Sequence, residues 1–184
     1  MRGHTSDMDV IMEMCQERNI PVIEDAAHSL GTLWHERKIG TIGTIGCFSF
    51  QSYKMLNAGE GGMVISNDPE IIARVVIMSG AYENNWNKHQ NSAGELDIDL
   101  QNAFEKWQNL LPLYNLRMQN LSAAVIRPQI PLLKDRVING LKNHNYVAER
   151  LNQSKWITVP DALPAETRAP DSIQFNLLGF DNDS

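Results

Sequence analysis

Apolar side chains recur at Met8, Ile11, Met12 and Cys15 in MDVIMEMCQERN, the spacing of one helical face. Ser6-Asp7-Met8-Asp9 supplies a helix start, with acids near the positive end of the dipole. The next apolar run, IPVIED, is short and β-branched and ends on Glu24 and Asp25. It predicts a buried strand whose carboxyl end carries two acids. A helix followed by a strand predicts an α/β layer architecture. Open α/β sheets place ligands beyond the carboxyl ends of their strands, so Asp25 stands where a ligand contact is expected.

Gly40, Gly43 and Gly46 punctuate a turn-rich segment, after which CFSF and GGMVIS predict two further strands. Asp68-Pro69-Glu70 combines an N-cap, a proline at the first helical position and an acid; a helix is predicted through EIIARVVIMS, stopping at Gly80. Residues 81–118 are rich in Asn, Gln and Trp and predict a long irregular connection, functional or bound to a partner. From Gln119 to about Asn152 the pattern is helical again, with Pro128 and Pro131 expected to interrupt it. PDALPAETRAP reads as a linker, and DSIQFNLLGF as a fresh strand with nothing after it to pair with before Asp181-Asn182-Asp183-Ser184. There is no internal repeat.

Composition narrows the classes. The 184 residues are 42% hydrophobic and 21% charged with a net charge of −6, as in a soluble globular protein. No basic face is available for nucleic acid. No apolar run approaches the roughly 18–20 residues of a membrane span, and MRGHTSDMDV has no signal-peptide core. Cys15 and Cys47 form no C-x-x-C pair, so neither a disulfide framework nor a zinc site is expected, and a cytoplasmic location is.

The chemical question centres on Lys54, alone between an aromatic, hydroxyl-rich run and the glycines 59, 61 and 62. A nucleotide loop needs its glycines before the lysine, and here they follow it. Lys54 is then either a surface charge or a nucleophile able to form a Schiff base with a carbonyl. Asp25 is either a strand-end acid or the partner of a charged ligand. A pyridoxal phosphate site needs both a carboxylate for the pyridine nitrogen and a lysine for the aldehyde. Asp25 followed by Lys54, both at strand ends, meets that demand.

Three segments together, VIEDAAHSLGT, IGTIGCFSFQSYKMLNAGEGGMVISND and YNLRMQNLSAAVIRPQI, resemble the DegT/DnrJ/EryC1/StrS sugar aminotransferases. The resemblance covers most of residues 1 to about 150. It implies the α/β, aspartate aminotransferase-like (type I) fold and pyridoxal 5'-phosphate as cofactor. It implies that Lys54 is the Schiff-base lysine and carries protons between substrate and cofactor, and that Asp25 pairs with the pyridine nitrogen. His28 falls where the family has Gln or His near the cofactor ring; the alternative is a core histidine. Ser49 matches a phosphate contact, and Gln51 faces the substrate or only packs. Asn115 matches a segment that reaches a dimer partner's cofactor phosphate. Arg117 shares that role or makes a structural ion pair. The family's glycine before the tyrosine is Leu113 here. The glycines 59, 61 and 62 are expected to permit a turn, and Trp86 and Trp107 to pack or to line a surface. His4 and His35 receive no role.

Chains of this family are longer. The resemblance therefore places residues 1–126 in a partial cofactor-binding large domain, and 127–184 in the connecting helix and the beginning of a small domain. The family's phosphate-binding helix start and ring-stacking aromatic are expected outside this chain, and the fragment alone is expected to be weakly active or inactive. The implied reaction is amino transfer from a donor such as glutamate to a keto sugar, nucleotide-linked, in a homodimer with shared active sites. Two alternatives stay open: a dehydratase or aminobenzoate-forming relative, with Lys54 arguing against the branch that carries histidine there, and a non-catalytic dimerisation or regulatory domain.

Overall fold

In a computed structural model of the chain, residues 2–80, 86 and 97–179 are described. Helix α1 spans Met8–Gln16, and the Asp7 carboxylate accepts the Val10 amide at its start. Strand β1, Ile23–Asp25, follows. A short ribbon is made by β2, Leu33–Trp34, and β3, Arg37–Lys38. The central strand β4, Ile45–Ser49, pairs in parallel with β1 and antiparallel with β5, Gly62–Ile65. The registers set Asp25 beside Cys47 and Ser49 beside Gly62.

Helix α2 spans Pro69–Met78, capped by Asp68 through the amides of Glu70 and Ile71. The long irregular connection is corrected in part: helix α3 occupies Ile98–Trp107, capped by Asp97. Leu100, Ala103, Phe104 and Trp107 give it a helical apolar stripe that packs on α2. Trp86 is buried in the same cluster and stacks on Phe104 with ring centroids 4.4 Å apart. Residues 81–85 and 87–96 of that connection, and the chain end from 180, lie outside the described residues.

The two prolines act as expected. Helix α4, Asn120–Ile126, gives way to a 3-10 segment, Arg127–Leu132, and then to α5, Leu133–Leu151. The linker expectation is corrected too: within that stretch β7, Glu166–Thr167, pairs antiparallel with β2. The last strand, β8 at Asn176–Leu177, does find a partner, the upstream β6 at Ile157–Thr158. Among the described residues no helix is long and apolar enough to cross a membrane.

Strand β1 inverts its own prediction. Ile23 and Asp25 face outward, and the residue pointing in is Glu24, only 6% exposed. Its carboxylate accepts the amides of Gly40 at 2.7 Å, Ile42 at 2.7 Å and Gly43 at 2.6 Å. Glu24 thus ties the glycine-rich loop to the sheet, beside a core of Met8, Ala26, Trp34, Ile39 and Phe48. A second apolar cluster, Phe50, Leu56 and Ile126, sits under the loop after β4.

A buried acid also anchors the N-terminal segment. Glu166 accepts the Thr5 amide at 2.7 Å and faces His4 at 3.5 Å. Burial, and then the positive charge of Arg168, push the His4 imidazole down from its ordinary value of 6.5; both together outweigh Glu166, which pulls it up. The unfolded chain therefore binds a proton near that value which the folded chain refuses. The stabilisation is complete above the unfolded value and is lost as pH falls below it.

Two outcomes follow from these carboxylates. Glu24→Ala leaves three backbone donors without their charged acceptor and should lower unfolding stability by about 3 kcal/mol, measured by urea titration; a loss below about 1 kcal/mol contradicts the assignment. Acidification from about pH 7 toward 5 should destabilise the wild type more steeply than His4→Gln, and equal slopes would remove His4 as the cause.

Candidate active site

The lysine loop is built by the strand that precedes it. Beyond β4 the Phe50 amide donates to Gly61 O at 2.8 Å, and the Ser52 amide to Gly59 O at 3.0 Å. The Ala58 amide donates to Phe50 O at 2.8 Å, so residues 50–61 close on themselves with Lys54 at the far end. Gly59 and Gly61 make the closure possible, with φ of 80° and 146°.

The loop is also clasped from the helical side. Gln129 accepts the Asn57 amide at 3.2 Å and donates to Asn57 O at 2.7 Å. Arg136 of α5 donates to Met55 O at 2.7 Å and to Gln129 Oε1 at 2.9 Å. With Leu56 buried between them, both flanks of the short segment after Lys54 are held. The Lys54 side chain is half-buried, and its Nζ lies 2.7 Å from His28 Nε2. On the other side of the ring, His28 Nδ1 lies 3.1 Å from Asp171 Oδ2.

The remaining predicted residues fall in two groups. Asp25 ends β1 with an exposed side chain, whose Oδ1 accepts the Ala27 amide at 3.1 Å. Three residues on, past a turn, comes His28. Ser49 ends the adjacent strand, and its hydroxyl accepts the Gln51 amide at 3.3 Å. The Gln51 side chain donates to Ser52 Oγ at 3.0 Å and accepts the Tyr53 amide at 3.0 Å, so it shapes the turn ahead of the lysine. Cys47, beside Asp25, has its thiol pushed up by burial and then by the Asp25 charge, which keeps it a poor nucleophile.

Asn115 and Arg117 belong to the second group. Both line a cleft of about 440 Å³ together with Gly61, Gly62 and Ser122. Gly62 is the register partner of Ser49, which links this cleft to the end of β4. Arg117 also donates to Gly80 O at 3.0 Å, and the Tyr114 amide donates to Met78 O, so the segment is seated on the end of α2. Lys54, His28, Asp25 and Ser49 thus gather at two neighbouring strand ends, while Asn115 and Arg117 stand across the glycine turn.

Sequence reasoning missed Asp171, Gln129 and Arg136. Gln129 lies in the 3-10 segment and Arg136 in α5, so the interruption at Pro131 hides their common side from a helical count. Asp171 touches His28 from 143 positions away, and no local pattern announces it.

The donor set fits a pyridine aldehyde phosphate: a half-buried primary amine, a carboxylate at the next strand end, and a hydroxyl and amide near a glycine turn. Residues 1–178 match the DegT/DnrJ/EryC1/StrS aminotransferase family. The chain is 33% identical over 135 residues to the spore coat polysaccharide biosynthesis protein SpsC of Bacillus subtilis (strain 168), covering 72% of this chain and 32% of that protein. It is 30% identical over 137 residues to 3-amino-5-hydroxybenzoate synthase of Amycolatopsis mediterranei (strain S699), covering 74% and 31%. Among solved structures, GDP-4-keto-6-deoxymannose-3-dehydratase (ColD) superposes with a TM-score of 0.80 at 23% identity, over 97% of this chain and 46% of that one. That likeness shows a shared aminotransferase-like α/β fold. The chain spans about a third of the length of the curated relatives it matches.

Removing the clasp should loosen the lysine loop selectively. Arg136→Ala is expected to cost about 2 kcal/mol and to speed amide exchange at Asn57 and Ala58, whose amides donate to Gln129 and Phe50, read by hydrogen–deuterium exchange; unchanged exchange there contradicts the clasp.

Proposed function

The chain belongs to the DegT/DnrJ/EryC1/StrS aminotransferase family, and on that premise we propose that it carries the catalytic centre of a pyridoxal phosphate-dependent enzyme of sugar modification. The reaction is transfer of an amino group from an amino acid such as glutamate to a keto sugar, nucleotide-linked. The observation that carries this reading is the Lys54 amine, half-buried and held 2.7 Å from His28 where the neighbouring strand delivers Asp25.

Bound pyridoxal phosphate supplies an electron sink through its protonated ring. Lys54 Nζ would be the nucleophile that holds the aldehyde and the group that moves a proton at the reacting carbon. The Asp25 carboxylate would keep the pyridine nitrogen protonated, as an opposite charge does. Ser49 would hold the phosphate, and Asn115 and Arg117 would reach the phosphate of a second copy across a homodimer. Gln51 sets the turn that presents Lys54 and would border the substrate. Residues 1–126 would form the cofactor-binding part and 127–184 the connecting helix and the start of a smaller domain. A cytoplasmic location suits the free thiols of Cys15 and Cys47.

The relatives and structural neighbours include a spore coat polysaccharide biosynthesis protein, a 3-amino-5-hydroxybenzoate synthase and a GDP-4-keto-6-deoxymannose-3-dehydratase, so the cofactor and the reaction need separate tests. Protein mixed with pyridoxal phosphate and reduced with borohydride should carry the pyridoxyl group on Lys54, located by peptide mass spectrometry. Label on another residue, or the same label in Lys54→Ala, overturns the assignment. In the full-length enzyme that carries this chain, loaded with the cofactor, addition of L-glutamate should release 2-oxoglutarate and leave pyridoxamine phosphate. A loaded full-length enzyme that does neither contradicts the amino-transfer reading.

A further inference from the structure

Three chain segments meet behind His28. Thr32 is fully buried, and its hydroxyl donates to Gly3 O at 2.8 Å and accepts the Ala169 amide at 3.1 Å. A Cβ at Gly3, where φ is 85°, would lie 2.6 Å from Ala169 O. A Cβ at Gly140 of α5 would lie 2.9 Å from Pro170 O. Backbone meets backbone here only because glycine leaves the room. The junction pins residues 169 and 170, and so delivers the next side chain, Asp171, to His28.

Asp171 has a side chain only 10% exposed. Its Oδ1 accepts the Ser172 hydroxyl at 2.9 Å, and its Oδ2 stands 3.1 Å from His28 Nδ1. An ionised carboxylate only accepts, so the hydrogen of that contact is on Nδ1. A neutral imidazole with its hydrogen on Nδ1 has its lone pair on Nε2, the atom 2.7 Å from Lys54 Nζ. We propose that Asp171 is a positioning residue that locks His28 in the Nδ1–H form, making Nε2 the hydrogen-bond and proton acceptor for the Lys54 amine.

The consequence concerns electron pairs. With Nε2 as acceptor, a Lys54 N–H points at the ring, and the lone pair of a neutral Nζ is left free to attack a carbonyl carbon. With a hydrogen on Nε2, the ring would donate to that lone pair and occupy it. When the Lys54 ammonium gives up a proton, an N–H bond breaks at Nζ and one forms at Nε2. The positive charge passes to an imidazolium that Asp171 already faces. The arrangement is that of a base oriented by a third group.

This inference rests on the reading of Lys54 as the reactive amine, and its test is independent of cofactor. Two-bond proton–nitrogen spectra of the nitrogen-15-labelled chain, recorded at rising pH until the ring pattern stops changing, report which ring nitrogen bears the hydrogen. The His28 signals are assigned by their absence in His28→Gln. The wild type should show the Nδ1–H form. Asp171→Asn keeps an acceptor and should keep that form. Asp171→Ala should move the Nε2 signal from the unprotonated to the protonated range, whereas Lys54→Met should leave the Nδ1–H form in place. An Nε2–H form in the wild type overturns the proposal. So does an unchanged His28 signal in a folded Asp171→Ala. If pyridoxal phosphate fails to label Lys54 in the wild type, the cofactor reading falls while the tautomer result stands. If labelling succeeds and Asp171→Ala leaves the tautomer unchanged, only the present inference falls.

Discussion

The contact between Lys54 Nζ and His28 Nε2 at 2.7 Å is the interaction on which the site depends. It joins the exits of two adjacent parallel strands, because His28 follows β1 and Lys54 follows β4. Everything nearby serves to hold those exits in place. The β1–β4 register fixes how far each strand runs, the closed loop of residues 50–61 fixes where the lysine stem begins, and Gln129 and Arg136 stop that loop from lifting. A long flexible side chain loses rotamer freedom when its end is fixed. The half-burial of the stem and the hydrogen bonds on the backbone beyond it offset that cost locally.

The same economy of polar groups runs through the core. Glu24 is the inward residue of β1, where an aliphatic residue would be ordinary. A buried carboxylate is tolerated when its lone pairs are filled, and three loop amides fill them. Thr32 plays the neutral counterpart, one hydroxyl donating to one segment and accepting from another. Both residues use hydrogen bonds with specific direction to hold loop backbone in place. One of the segments so held, at Gly3, donates its amide to His28 O at 2.8 Å.

Much of this was legible in the sequence, for identifiable reasons. The caps Asp7 and Asp68, the proline-interrupted helix and the strands around Cys47–Ser49 and Gly62–Ile65 each carry a local signal that survives folding. Lys54 and Asp25 were singled out by the chemistry of an amine and an acid at successive strand exits, and His28 by the family resemblance alone. Other features were hidden. The apolar stripe of α3 lies in a stretch dominated by amides, and short strands such as β7 are held by backbone pairing, which leaves no side-chain period. Glu24 reads as one of two acids ending a strand, and only the fold says that one turns in and the other out. Asp171 acts across 143 residues, and its role exists only once the chain has returned.

The central claim is that Lys54 is the cofactor lysine and that the strand ends around it form one site. The most direct measurement is a crystal structure of the chain grown with pyridoxal 5'-phosphate. The account predicts continuous density from Lys54 Nζ into the cofactor, with the Asp25 carboxylate at the pyridine nitrogen and the Ser49 hydroxyl at the phosphate. Cofactor bound elsewhere, or bound here with Lys54 unlinked and Asp25 turned away, would contradict it.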